Sequence, residues 1–407
     1  MRLTVLACAL ALIIPGLQAG GAHAAAARWI GTWAASPAPP MASPPGARFP
    51  GTPTFNNQTV TQLVRLSAGG QRLRIRLSNE YGARPLAIGA ARVALVGTDG
   101  AVVPGSDRVV TFAGAPAATL PPGGPLISDP VSLPTKALGR LRVSLYLPTD
   151  TNGCTCHMSG GELVQVATGD TTKDTAPIKG PATFRAFLTG VEVETAAPPR
   201  PVIVAFGDSI TDGYRSTDGA DRRWPDRLAE RLAMRSPGRS VAVVNAGIGG
   251  NRVLSDGVVP IFGQSALSRF DRDVLATPGA THVIVLEGVN DLGASKTDPP
   301  KAQALIGGYR QLIDRAHAHG LKIIGATILP YGGAAYWGAP GEAERQTINA
   351  WIRTGHGFDG VIDFDAATRD PAKPDHMRAD LQSGDWLHPN DAGYRVMGDA
   401  IDLALFR

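Results

Sequence analysis

Lysine, aromatic residues, cysteine and runs of like charge are all scarce in this 407-residue chain. Seven lysines stand against 32 arginines, and the arginines are scattered. A nucleic-acid-binding chain gathers its cations on one face or in one run. With a net charge of only +4 and no such run, DNA and RNA are not expected partners. Aromatics make up 6 %, so the core must rest on Ala, Val, Leu and Ile. No apolar segment approaches the roughly 20 residues that a membrane-crossing helix needs without charges. The apolar share is 43 % and the charged share 18 %, which excludes a disordered polyion. Gly and Pro are plentiful but follow no Gly-X-Y period, which excludes collagen. The length suits two domains.

The first residues read as an export signal. Met1-Arg2 is followed by an apolar stretch from Leu3 to Ile14, a Pro15-Gly16 break and the small-residue end Ala22-His23-Ala24. Residues 1–24 are therefore expected to be a Sec-type signal peptide, giving a secreted or periplasmic protein with no stable membrane insertion. Its removal takes Cys8 and leaves Cys154 and Cys156, too few for a disulfide scaffold. Cys154-Thr155-Cys156-His157 offers half of a zinc-site spacing, and no second ligand pair follows. A local disulfide or two plain thiols is expected there, with no metal.

From Trp29 to about Glu194 the apolar residues recur with period two. Arg72-Leu73-Arg74-Ile75-Arg76-Leu77 alternates strictly, setting three arginines on one face and three aliphatics on the other. Similar runs lie at 59–66, 87–96, 109–112, 141–147 and 163–167, separated by Gly, Pro, Asp and Asn. Short alternating strands predict an antiparallel β-sandwich over 29–194. The Pro-rich stretch 195–200 reads as a linker. After it the period changes. Short continuous Val- and Ile-rich runs at 202–206, 241–244, 282–286, 322–328 and 361–364 read as strands buried on both faces. Amphipathic stretches at 224–234, 301–319, 343–353 and 392–405 alternate with them. The pattern predicts an α/β domain over 201–407, a doubly wound, flavodoxin-like parallel sheet of five strands.

Ligands of such sheets bind beyond the carboxyl ends of the strands, so the loops there carry the chemistry. The first strand runs into Gly207-Asp208-Ser209-Ile210-Thr211-Asp212-Gly213, where a serine on a tight strand-to-helix turn presents its hydroxyl. An N-cap serine would look the same, and neither a P-loop nor G-x-S-x-G spacing is present. The second ends in Asn245-Ala246-Gly247-Ile248-Gly249-Gly250-Asn251-Arg252, whose glycines allow a backbone N–H to approach a ligand oxygen. A dinucleotide fingerprint fails there because Arg252 occupies its third glycine position. The third gives Glu287-Gly288-Val289-Asn290-Asp291, in which Asn290 can donate to a developing oxyanion. Asp385-Trp386-Leu387-His388 precedes the last helix; a carboxylate three residues before a histidine can hold one ring nitrogen and leave the other as base. His282, His356, His376 and His157 have no comparable sequence neighbours.

These four loops, in this order, resemble the SGNH subgroup of the GDSL esterases and lipases over about residues 201 to 407. The resemblance implies Ser209 as nucleophile, Gly250 and Asn290 as oxyanion donors, and Asp385 with His388 completing a triad. The signature Leu is Ile210 here, which touches no catalytic atom. The N-terminal half, through Trp29–Ser36 and Leu77–Gly82, resembles the sandwich domains that precede some exported members. The expected activity is a cofactor-free serine esterase on a small-molecule or polysaccharide ester, with short acyl groups such as acetyl on carbohydrate favoured. A lipase or lysophospholipase on longer chains and a non-catalytic carbohydrate- or surface-binding protein are the alternatives. Tyr331, Tyr336 and Trp337, on a Gly-rich loop after the fourth strand, can line a substrate site or pack the loop down. Oligomeric state is not legible.

Overall fold

Strict alternation is what makes Arg72–Ser78 a half-buried strand: Leu73, Ile75 and Leu77 are wholly buried. The arginines between them turn outward, where Arg74 and Arg76 meet Glu192 and Arg72 meets Glu194 on the neighbouring strand. The computed structural model describes residues 28–43, 46, 49, 51–181, 183–195, 201–235, 241–355 and 357–406. The expected signal peptide, residues 196–200 of the expected linker, and His356 lie outside the described residues.

The N-terminal region is antiparallel β. One sheet runs Arg28–Ala34, Leu188–Thr195, Arg72–Ser78, Pro125–Ile127, with Val131–Ser132 also on Arg72–Ser78. A second runs Val164–Thr168, Gln58–Arg65, Arg140–Leu147, Ala90–Val96, Arg108–Val109. Leu73, Ile75 and Val193 of the first share one core with Val60, Val64 and Val143 of the second. Each such aliphatic contributes about 1.5–3 kcal/mol on leaving water. Two expected runs are cut short. The 87–96 run breaks at Gly89, where the Tyr146 ring leaves no room for a side chain. The 109–112 run forms a strand only at Arg108–Val109, and Phe112 bridges back to Ala115 because Ala113 and Gly114 turn the chain with positive φ. Cys154 and Cys156 form a disulfide.

The C-terminal region is a five-stranded parallel sheet in the order Ala242–Gly247, Val202–Gly207, His282–Leu286, Lys322–Ala326, Gly360–Ile362. Strand order thus reverses beside Val202–Gly207, and the carboxyl ends of the first three strands open onto one crevice. The helices Trp224–Arg235, Ala302–Ala318, Ala339–Arg353 and Asp391–Ala400 cover the faces. The last helix is shorter than expected, since Ile401 turns extended and only a 3-10 turn, Leu403–Phe406, follows. Among the described residues no helix is long and apolar enough to cross a membrane.

The two regions are packed together rather than strung apart. Val202 and Ala242 of the parallel sheet are buried in the N-terminal core. Gly31 donates to the Pro278 carbonyl at 2.9 Å, Val243 N–H to Ser67 Oγ at 3.0 Å, and Gly219 N–H to the Gly161 carbonyl at 2.7 Å. A cavity of about 380 Å3 remains between them, bordered by Trp33, Arg76, Val244 and Arg272.

Candidate active site

Ser209 opens a one-turn helix, Ser209–Asp212, at the end of the first strand. Asp208 caps it, its carboxylate accepting from Ile210 N–H at 2.9 Å. As the first helical residue, Ser209 has a backbone N–H with no intrahelical acceptor. Its Oγ lies 2.8 Å from His388 Nε2, and His388 Nδ1 lies 2.8 Å from Asp385 Oδ2. The other carboxylate oxygen of Asp385 accepts from the backbone N–H groups of Leu387 (3.0 Å) and His388 (2.9 Å). The Asp385–His388 segment is thus a turn closed on its own carboxylate. Burial alone would raise Asp385, but the hydrogen bonds from His388 outweigh it and hold the carboxyl well below its usual range.

The second loop comes up against the nucleophile because its residues are small. A side chain on Gly247 would sit 2.3 Å from the Asp212 nitrogen. Asn245 Nδ2 donates to the Thr211 carbonyl at 2.7 Å, tying the second strand to the same helix. Gly250 has φ +75°, and a Cβ there would strike the Phe262 ring at 2.5 Å. Among the described residues nothing accepts from the Gly250 N–H. From the third loop, Asn290 Nδ2 donates to the Asn251 carbonyl at 3.0 Å while its Oδ1 accepts from Tyr336 Oη at 3.2 Å. The amide keeps its second N–H. Asp291 accepts from Val253 and Leu254 N–H at 2.8 and 3.0 Å, joining the third loop to the second.

Sequence reasoning missed what lies beneath. Arg269, wholly buried, donates to the carbonyls of Gly207 and Ala246, to Asn251 Oδ1, and to Asp273 and Glu287. It ties together the carboxyl ends of the first two strands. Glu287 and Asp208 are buried nearby; burial pushes Glu287 well above its usual value and Asp208 up to about 7, against Asp208's hydrogen bond from Ile210. An arginine inside a helix carries no sequence signal of such a role. The rim was missed as well. The Tyr214 ring stands edge-on to His388 with centroids 4.8 Å apart, and Arg215 Nε is 4.0 Å from Asp385 Oδ2. Arg215 and Trp386 both take positive φ, which non-glycine residues adopt at some cost. Trp386 stands between Asp385 and His388 in the chain, and that position is its one sequence signal.

Of the two readings open for Tyr331, its burial favours packing over lining a site: it is 1 % exposed, in the main core. Trp337 is half-buried against the same core. Tyr336 alone of the three reaches a site residue, through Asn290. Among the described residues no group of three or more His, Cys, Asp or Glu side chains is placed to hold a metal.

Residues 205–396 match the model of the GDSL-like Lipase/Acylhydrolase family. No curated protein matches the chain. Among solved structures the chain is similar to an acetyl xylan esterase, at 22 % identity, covering 49 % of this chain and 96 % of that one with a TM-score of 0.38. It is also similar to a GDSL-like lipase from Bacteroides thetaiotaomicron VPI-5482 (20 % identity, 50 % and 87 % covered, TM-score 0.38). A carbohydrate acetylesterase family member from Sinorhizobium meliloti gives 18 % identity, 49 % and 94 % coverage and a TM-score of 0.38.

Proposed function

From the premise that residues 205–396 are a GDSL-like lipase/acylhydrolase domain and the chain a carboxylic ester hydrolase, we propose that Ser209, His388 and Asp385 act as its catalytic triad. The observation that carries this reading is the unbroken line from Ser209 Oγ through both nitrogens of His388 to Asp385, each step 2.8 Å. Ser209 Oγ attacks the ester carbonyl carbon while its proton passes to His388 Nε2. The Nδ1–H stays on the ring and donates to Asp385, which fixes the tautomer and balances the imidazolium. The oxyanion accepts from Ser209 N–H, Gly250 N–H and the free N–H of Asn290, each such donor worth about 3 kcal/mol in the transition state. The Nε2 proton then goes to the leaving alkoxide. Water gives a proton to the same nitrogen and attacks the acyl carbon; the C–Oγ bond then breaks, Nε2 returns the proton to Ser209 Oγ, and the acid is released.

The substrate is a short acyl ester of a carbohydrate, and the protein works after export through its N-terminal segment. One feature supports this choice. Tyr214, 40 % exposed, stands edge-on to His388, whose Nε2 protonates the departing alcohol, and offers aromatic surface to a sugar ring. Hydrolysis of p-nitrophenyl acetate, butyrate, octanoate and palmitate by the wild type and by Ser209→Ala tests the proposal. Acetate preference lost in Ser209→Ala is expected. Preference for octanoate or longer would move the substrate to lipids, and activity retained in Ser209→Ala would overturn the triad.

A further inference from the structure

The Cys154-Thr155-Cys156-His157 motif takes no part in the chemistry above, yet it reaches the back of the nucleophile. His157 lies on the strand Cys156–Met158, which pairs with Phe184–Ala186 and is anchored at its start by the Cys154–Cys156 disulfide. The Cys156 carbonyl also accepts from Ala38 N–H at 2.8 Å. From this braced position the imidazole crosses between the two regions. Nδ1 is 2.9 Å from the Ser36 carbonyl and Nε2 is 2.9 Å from Asp212 Oδ1. Both side chains are buried, at 6 % and 3 % exposure.

A carbonyl oxygen only accepts, so Nδ1 must carry a hydrogen, and a carboxylate facing Nε2 calls for a second. The contact is therefore an imidazolium paired with a carboxylate. Burial opposes that charge, and the attraction of Asp212 together with its hydrogen bond outweighs the burial and raises His157. The other charged groups around the pair belong to a second interlocked set. Arg185 pairs with Glu162 at 3.1 Å, and Arg223 bridges Glu162 and Asp226 at 3.4 and 2.7 Å.

Asp212 is a meeting point. It ends the helix that Ser209 begins, and its N–H donates to the Asp208 carbonyl at 2.9 Å. Gly247 of the oxyanion loop approaches that same nitrogen, and a Cβ on Gly249 would stand 4.0 Å from Asp212 Oδ2. Oδ2 is buried without a partner among the described residues, so His157 is the group that fixes this carboxylate.

We propose that the Cys154–His157 segment is a positioning device for catalysis: His157, reaching from the N-terminal region, holds Asp212 and through it sets Ser209 and the Gly247–Gly250 loop in register. The N-terminal region is then part of the working active site and not merely a tether. The proposal rests on Ser209 being the nucleophile.

The test uses the full chain, with competent sites counted by stoichiometric titration with diisopropyl fluorophosphate and kcat expressed per titrated site on p-nitrophenyl acetate. His157→Leu and Asp212→Asn are expected to lower kcat at least tenfold per titrated site with KM within twofold. His157→Gln, which restores a neutral donor to Asp212, is expected to recover kcat to within about threefold of wild type. Tyr81→Phe removes different contacts between the regions, the hydrogen bond its hydroxyl donates to Gln264 and the one it accepts from Arg272, and is expected to leave kcat unchanged. If His157→Leu and Asp212→Asn lose sites or thermal stability but keep wild-type kcat per site, the role is structural and the proposal is overturned. If His157→Leu fails to fold, a twofold or smaller change in Asp212→Asn overturns it equally. A wild type that takes no phosphoryl label would instead remove the triad, and this proposal with it.

Discussion

Replacing Asp385 with Asn should nearly abolish turnover while leaving the fold intact, and the local geometry says why. In the native turn Oδ1 accepts from two backbone N–H groups, of Leu387 and His388, while Oδ2 faces His388 Nδ1. An amide can keep the turn only by giving its oxygen to those two donors. Its NH2 is then forced onto Nδ1, which must accept. The imidazole answers by carrying its proton on Nε2, so the nitrogen 2.8 Å from Ser209 Oγ no longer has a lone pair for the serine proton. A wrong tautomer of this kind costs about four decades in kcat, or roughly 5.5 kcal/mol at about 1.36 kcal/mol per decade. Stability should change little, because both turn hydrogen bonds survive. The assay is kcat on p-nitrophenyl acetate beside the urea midpoint of the same sample. A kcat within tenfold of wild type in a folded Asp385→Asn protein would refute the reasoning. Because the native carboxyl is held below its usual range, any stability it adds is present above the unfolded carboxylate value and disappears only as pH falls through the lower folded one. The stability difference between wild type and Asp385→Ala should therefore persist at pH 5.

Gly250→Ala places a Cβ against the Phe262 ring at a positive φ; displacement of the N–H should lower kcat by two to three decades with KM nearly constant, and an unchanged kcat would remove Gly250 from the oxyanion site. Asn290→Ala should lower kcat by a similar amount, whereas Tyr336→Phe, which frees only Asn290 Oδ1, should lower it less than tenfold; equal losses in steady-state assays would show that Asn290 acts only as a packing partner. Arg269→Met leaves the Gly207 and Ala246 carbonyls and the carboxylates of Asp273 and Glu287 without this partner, so urea unfolding should report about 3–5 kcal/mol of lost stability. His157, raised by Asp212, contributes stability that is fully present below the unfolded histidine value of about 6.5 and is lost as pH rises through the folded one. The melting-temperature gap between wild type and His157→Gln should accordingly narrow on the alkaline side, with Arg185 and Asp212 as the charged neighbours that set where; a gap that widens with pH would contradict the pairing.

The change of period after residue 200 made the two regions legible; continuous Val and Ile runs placed three of the loops at the carboxyl ends of strands, and the fourth, Asp385–His388, was legible as the segment before the last helix. Ser209, Asp385 and His388 meet because those loops share the crevice where strand order reverses, a place that alternation of strand and helix predicts. What the sequence hid are contacts between residues far apart in the chain. Arg28–Ala34 pairs with Leu188–Thr195, and no local pattern in either strand names its partner. His157 has no acidic neighbour in sequence because its partner, Asp212, lies 55 residues on. Arg269 reads as one more helical arginine until the carbonyls of two strands converge on it. For Tyr331 the Gly-rich loop leaves lining a site and packing the loop equally open, because burial depends on residues distant in the chain; the side chain is buried in the core.

Phosphorylation of the nucleophile by diisopropyl fluorophosphate, followed by peptide mapping, tests the central claim most directly. One equivalent of label on Ser209, lost in Ser209→Ala and formed in step with loss of ester hydrolysis, is the predicted result. Ester hydrolysis that continues while Ser209 stays unlabelled, or a label on another serine that abolishes it, would contradict the account.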